Sequence, residues 1–416
     1  MAETIPIPGP PGLPLIGNPK DIDLNNTVQS FISLSETYGP IFKLYLGGSE
    51  RIFVTDHELA NELCSRKDFV KKITGTTEHL AKVMPDGILT AQHGQESWGL
   101  TRRTLNPAFT KASVKDMFPE MLDITSQLVL KWARFGSESE FDAQADFTRL
   151  SMDTIALLHD ENVHFIRTFC SDLVNQRRAN PTDKKDIFNA LLNRRDPVTG
   201  KELSHGVITD NMITFLFAAH LIMNPEAYAK VQEEIDRVMG PNAITPDYIN
   251  QLPYVKACLR ETLRLEPPSP ALVLMPIPKD QDCVVIGNKY LIRDGQTTVV
   301  LIAKLHRDPA TFGPDAEEFR PERMLEENLR KLPKNAFKPF GNGARSCIGS
   351  EFALQQATMV LAVLFQKFDF SFANPYYQLQ YQPSLHRKAK DLYIKARLRP
   401  NIDIMSLHRD LFPPSA

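Results

Sequence analysis

Phe340-Gly341-Asn342-Gly343-Ala344-Arg345-Ser346-Cys347-Ile348-Gly349 opens directly onto a long apolar-periodic stretch. From Gly349 to Phe368, the apolar Phe352, Ala353, Ala357, Val360, Leu361 and Leu364 recur at the spacing of a buried helix. Cys347 is therefore expected at the mouth of that helix. There, backbone N–H groups and the positive end of the helix dipole lower a thiol's pKa. The same N–H groups donate hydrogen bonds to a sulfur ligand and tune the metal it holds. Gly343 and Gly349 allow backbone to lie close to a flat macrocycle, and Gly343 is a candidate for positive φ. Arg345, two residues before the cysteine, is placed to pair with a macrocycle carboxylate. These are the requirements for holding a haem iron by a thiolate. A buried structural cysteine is the competing reading, but it requires none of Phe340, Gly343, Arg345 and Gly349 in register with Cys347.

Those five residues occupy every fixed position of the haem signature Phe-x-x-Gly-x-Arg-x-Cys-x-Gly, and at them the chain resembles the cytochrome P450 family. Other marks of the family follow in order. Glu261-Thr262-Leu263-Arg264 matches its Glu-x-x-Arg helix, where residues three apart share a face and can pair. Phe319-Arg320-Pro321-Glu322-Arg323 resembles its Pro-Glu-Arg segment, which implies a buried cluster of Glu261, Arg264 and Arg323 that locks the region below the haem. Trp98-x-x-x-Arg102 resembles the motif whose indole and guanidinium reach one haem propionate; a surface helix with an amphipathic Trp would read the same way. Lys71 is a propionate candidate by position alone, and an exposed lysine is the alternative. The resemblance implies a mainly α fold with small β-sheets, haem b (iron protoporphyrin IX) as cofactor, and Cys347 as the iron ligand.

Composition is compatible with this. With 416 residues, 42% hydrophobic and 24% charged, the chain reads as one haem domain over 1–416, with a β-rich lobe near 36–60 and 270–300 and helices elsewhere. Ile41 to Leu46 and Arg51 to Thr55 flank Gly47-Gly48, and Val284 to Ile286 and Tyr290 to Ile292 flank Gly287-Asn288; both read as hairpins. The lead-in Ile5-Pro6-Ile7-Pro8-Gly9-Pro10-Pro11-Gly12-Leu13-Pro14 is expected to be extended. A net charge of −2 gives no electrostatic footprint for nucleic acid. Five cysteines without paired spacing point to a reducing compartment, hence a cytoplasmic location. No apolar run long enough for a membrane anchor is present.

Arg177-Arg178-Ala179-Asn180-Pro181-Thr182-Asp183-Lys184-Lys185-Asp186, with the proline lead-in, narrows the resemblance to the haem domain of self-sufficient bacterial and fungal fatty-acid hydroxylases, in which a diflavin reductase follows on the same chain. Three departures stand out. About 50 residues of the substrate-channel lid are missing after Leu157-Leu158, so that Asp160 to Arg178, with apolar Val163, Ile166, Phe169 and Leu173, follows at once. About 13 residues of the oxygen-binding helix, including its acid–alcohol pair, are missing where Ala219-His220 runs straight into Leu221, about 20 Å of helix. No reductase sequence is present, so FMN, FAD and NADPH would act only through a separate reductase.

No catalytic residue is assigned; Ala219 and His220 mark the remnant of the oxygen-binding helix, with His220 either a proton shuttle or a core residue. Leu89, Leu272 to Pro276 and Pro383 to Leu385 are expected to line the substrate pocket. The function expected is a haem-thiolate monooxygenase acting on a lipophilic, fatty-acid-like substrate, with electrons from an NADPH-dependent diflavin reductase. The alternative is a degenerate haem-binding protein or a mis-spliced product with impaired oxygen activation.

Overall fold

A computed structural model describes residues 4–13, 16–82, 85–157, 208–277, 282–381, 389–400, 402 and 407. The readings placed on Asp160 to Asp186 and on Pro383 to Leu385 fall outside these residues. The described elements are mostly helices, with ten strands: β1 (Ile41–Leu46), β2 (Ser49–Val54), β3 (Phe69–Lys71), β4 (Glu140–Asp142), β5 (Leu272–Pro276), β6 (Cys283–Ile286), β7 (Tyr290–Arg293), β8 (Thr297–Val300), β9 (Phe368–Phe372) and β10 (Tyr393–Leu398).

Both hairpins form. β1 and β2 pair from Ile41↔Val54 to Leu46↔Ser49, and both turn residues, Gly47 and Gly48, take positive φ (59° and 80°). Two successive positive φ values are what a tight turn compatible with strand twist requires. β6 and β7 close at Ile286↔Tyr290 around Gly287 and Asn288, at φ 54° and 55°. β2 then pairs in parallel with β8, and β8 antiparallel with β5, giving a five-stranded sheet ordered β1-β2-β8-β5-β3. The proline lead-in lies against this sheet: Lys43 N–H donates to the Pro8 carbonyl at 2.8 Å. A Cβ on Gly9 would meet the Lys43 carbonyl oxygen at 2.3 Å, so only glycine lets the two backbones come this close.

The helix expected after Cys347 runs Ser350–Lys367 with Gly349 as its N-cap. Phe352, Ala353, Ala357, Val360, Leu361 and Leu364 are all buried. Its C-terminal half is buried all round, as befits the central helix of a large core. It packs against helices Phe118–Phe135, Ile208–Met223, Pro225–Val238 and Pro253–Leu265. Within that core, Trp132 is fully buried; its indole N–H donates to Asp146 at 2.8 Å, and Phe141, Phe147, Phe368 and Phe370 surround its ring. Just past the Ala219-His220-Leu221 junction, Asn224 is the N-cap of the next helix, with Pro225 in its first turn, where the missing proline N–H costs nothing. The Asn224 amide donates to the His220 carbonyl at 2.7 Å, so one helix hands over to the next within a residue.

Candidate functional site

The five-stranded sheet, helix Glu96–Leu105 and the segment 338–349 enclose a cleft of ≈ 1170 Å³. Lys71, at the end of edge strand β3, pairs across the ladder with Leu274 of β5, which brings Lys71 and Leu272 to the same wall. Trp98 and Arg102 come from the helix, and Leu89 from the turn before it. Phe340, Gly343, Arg345, Cys347 and Gly349 form the wall opposite.

The segment around Cys347 is tightly tied. Cys347 N–H donates to the Phe340 carbonyl at 2.8 Å, and Ser346 N–H to the Gly343 carbonyl at 3.1 Å. The Asn342 side chain donates to the Cys64 carbonyl at 2.8 Å and accepts from the Lys338 ammonium at 2.9 Å. Gly343 takes φ 61°, and a Cβ there would meet nothing within 4 Å: its open side is the cleft. Cys347 itself is exposed, three residues before the helix.

Two arginines cross-link this segment to the Trp98 helix. Arg102 Nη1 donates to the Ser346 carbonyl at 2.7 Å, beside Cys347. Arg345 donates to the carbonyls of Ala91 (2.6 Å) and Gln92 (2.9 Å), while its guanidinium lies 4.6 Å from the centre of the Trp98 ring. At that distance a cation–π contact contributes about 0.5–1 kcal/mol. Burial pushes the Lys71 ammonium below its ordinary pKa; the Arg345 charge pushes the same way and Cys347 opposes them. Among the described residues, Lys71, Arg102 and Arg345 have no carboxylate partner, and no Asp or Glu lines the cleft. A thiol lining one cleft with three cations that have no carboxylate partner among the described residues, beside exposed glycine backbone at Gly343, fits a flat dianionic ligand with a metal at its centre.

Outside the cleft's lining, Glu261, Arg264 and Arg323 come together. Glu261 and Arg264 are fully buried and joined by two bonds, 2.7 and 2.8 Å. Arg323 Nε lies 3.3 Å from Glu261, an ionic contact without hydrogen-bond alignment. Arg264 spends its remaining N–H groups on the carbonyls of His306, Ala316 and Glu318. All five guanidinium donors are thereby satisfied.

Ala219 and His220 stand elsewhere. Both are buried in the core, and no described side chain of helix Ile208–Met223 lines the cleft. His220 stacks flat on Phe319 at 5.0 Å, and burial holds its pKa down at about 4. Sequence reasoning missed the Arg102 bond to Ser346, the Arg345 stack on Trp98 and the burial of His306. The only sequence signal for the last is a histidine following the mostly apolar stretch Val299 to Leu305, which Lys304 interrupts.

The cytochrome P450 family model matches residues 7–159 and 157–394. The chain is 41% identical to a bifunctional cytochrome P450/NADPH–P450 reductase of Aspergillus oryzae, over 98% of this chain and 43% of that protein. A self-sufficient cytochrome P450 monooxygenase of Exserohilum turcicum is 38% identical over 95% of the chain and 42% of its own length. A bifunctional cytochrome P450/NADPH–P450 reductase of Acremonium egyptiacum is 36% identical over 96% and 44%. The chain belongs to the cytochrome P450 family, whose cofactor is haem, and it spans less than half the length of these relatives.

One internal interruption is visible in the same comparisons. The family match breaks in two at 157–159, where the lid was expected to be lost. The Aspergillus alignment has 470 positions, whereas 98% of 416 residues is about 408, so some 60 positions of that relative have no counterpart here.

Proposed function

We propose that the chain is a haem-thiolate monooxygenase domain, and the observation that carries this is Cys347 and Arg345 on one wall of a cleft that Lys71 and Arg102 also line, with no Asp or Glu lining it among the described residues. Cys347 would supply the iron's thiolate. Lys71, Trp98, Arg102 and Arg345 would hold the propionates, and the backbone at Gly343 would lie along the macrocycle. Haem supplies the redox chemistry of dioxygen, which a thiolate ligand steers toward O–O cleavage. The reaction uses dioxygen, two electrons and two protons, places one oxygen atom in a C–H bond and releases the other as water. Leu89, Ile88, Leu272 and Val273 give the cleft an apolar side suited to a lipophilic, fatty-acid-like substrate. An NADPH-dependent diflavin reductase would deliver the electrons, as the names of the relatives indicate for those proteins.

The placement of Ala219 and His220 supports a second reading: a haem-binding protein with impaired oxygen activation. The cleft receives nothing from the described part of the helix that should carry the proton relay, and no acid–alcohol pair follows Ala219 in the sequence. Turnover of a medium-chain fatty acid with added reductase is accordingly expected to be slow and poorly coupled to NADPH use. Efficient hydroxylation would eliminate the second reading. Four described cysteines carry thiols, in keeping with a reducing, cytoplasmic setting. Among the described residues no helix is long and apolar enough to cross a membrane.

The test begins with binding. Haem-loaded protein, reduced and exposed to carbon monoxide, should show a red-shifted Soret band, and Cys347→Ser should lose it. Failure of the wild-type chain to take up haem would sink both readings. Arg345→Ala should speed haem loss to a competing apo-globin about tenfold, because a charge-assisted contact to the ligand and a tie to the Trp98 helix go together.

A further inference from the structure

His306 closes the short helix Ile302–Leu305 and is fully buried. Its carbonyl accepts from Arg264 Nη1 at 2.8 Å, and its ring Nδ1 lies 3.2 Å from the Arg264 carbonyl. On the other side, the backbone N of Lys338 lies 2.9 Å from Nε2. A backbone N–H can only donate, so Nε2 carries the lone pair, and the proton sits on Nδ1, which donates to Arg264. The imidazole is therefore neutral, in one tautomer, with the Phe337 ring packed against it at 5.2 Å.

The connection continues past Lys338. Gly341 N–H donates to the Lys338 carbonyl at 3.2 Å, and Cys347 N–H donates to the Phe340 carbonyl at 2.8 Å. An unbroken path thus runs from the buried Glu261–Arg264 pair, through one imidazole, to the amide of the cysteine.

We propose that His306 is a positioning residue for Cys347, holding the start of the Cys347 segment against the buried ion cluster and so setting where the sulfur meets the iron. Only the last clause rests on the haem-thiolate reading; the mechanical tie belongs to the chain itself. It gives the Glu261–Arg264 cluster, neither member of which lines the cleft, a specific route to the site.

Hydrogen exchange over residues 338–347, read by mass spectrometry beside alkylation of Cys347, tests the tie without haem. In His306→Phe the exchange should rise about tenfold, the effect of losing one net hydrogen bond, while alkylation of the already exposed Cys347 serves to show that the chain is folded alike. Exchange in helix Thr27–Tyr38 should not change. His306→Gln, whose amide both donates and accepts, should recover most of the protection. A folded His306→Phe chain with wild-type exchange over 338–347 would overturn the proposal. If that variant does not fold, 15N NMR of the wild-type imidazole decides: a proton on Nδ1 supports the tie and a proton on Nε2 overturns it. In haem-loaded protein, His306→Phe should show a larger fraction of the ferrous carbon-monoxide complex without the red-shifted band. Absence of haem uptake by the wild type would defeat the functional reading while leaving the exchange result standing.

Discussion

Glu261→Ala is expected to remove about 3–5 kcal/mol of stability, a large part of the roughly 5–15 kcal/mol that holds a domain folded. The reason is what stays behind. Arg264 is fully buried, and Glu261 supplies the acceptors for two of its five N–H groups. Without the carboxylate, a guanidinium charge remains in the core, and the Arg320 N–H loses its acceptor as well. Urea unfolding followed through the buried Trp132 measures the loss. Lys230→Ala is the control: its pairs with Glu226 and Glu322 are solvent-exposed and should contribute less than about 1 kcal/mol. A Glu261→Ala loss no larger than that of Lys230→Ala would refute the account.

Buried ion pairs can often be exchanged for apolar side chains at little cost. This one is expected to resist, because Arg264 also serves the carbonyls of His306, Ala316 and Glu318. Removing both members would orphan three backbone acceptors, each worth about 1–3 kcal/mol when buried and unpaired. The double variant Glu261→Leu/Arg264→Met should therefore be no more stable than either single one.

What could be read in advance follows the range of the interaction. The helix after Cys347 was legible to within a residue at each end, since burial periodicity and glycine placement are local. The Gly47-Gly48 and Gly287-Asn288 turns were legible because positive φ selects those residue types. Glu261 and Arg264 share a helix face, so their pairing was visible, and the resemblance supplied Arg323. Strand β3 was not foreseen: three residues are too few to show a period. Nor was the reach of Arg102 to the Ser346 carbonyl, 244 positions away, because nothing local to either residue encodes the other. His220 was left between two roles since the run Leu216 to Leu221 is buried throughout and its pattern has no exposed side. Only the packing of Phe319 against the ring shows that it is a core residue.

Acid should unfold this chain earlier than its carboxylates alone would dictate, and two buried histidines set the window. Burial holds His220 at about 4 and His306 at about 3, against an ordinary value of 6.5. The Arg264 and Arg307 charges depress both further, and Glu266 partly offsets this at His220. A folded pKa below the unfolded one means that the unfolded chain binds more protons as pH falls below about 6.5. Stability is then lost by about 1.4 kcal/mol per pH unit for each histidine, until pH reaches the folded value. Between pH 6 and 5 the pair should approach a combined slope of about 2.7 kcal/mol per unit. The carboxylates held low by partners, such as Asp315 beside Arg320 and Arg323 at about 2, begin to contribute only nearer pH 4. Asp56 and Glu234, raised by burial, act in the opposite sense as pH falls through their folded values. Urea midpoints at pH 7, 6 and 5 give the slope. His306→Gln should halve it, because the proton that only the unfolded chain can take up at that position no longer exists; a slope at pH 5.5 that this substitution leaves unchanged would show that His306 is not buried neutral between Arg264 and Lys338.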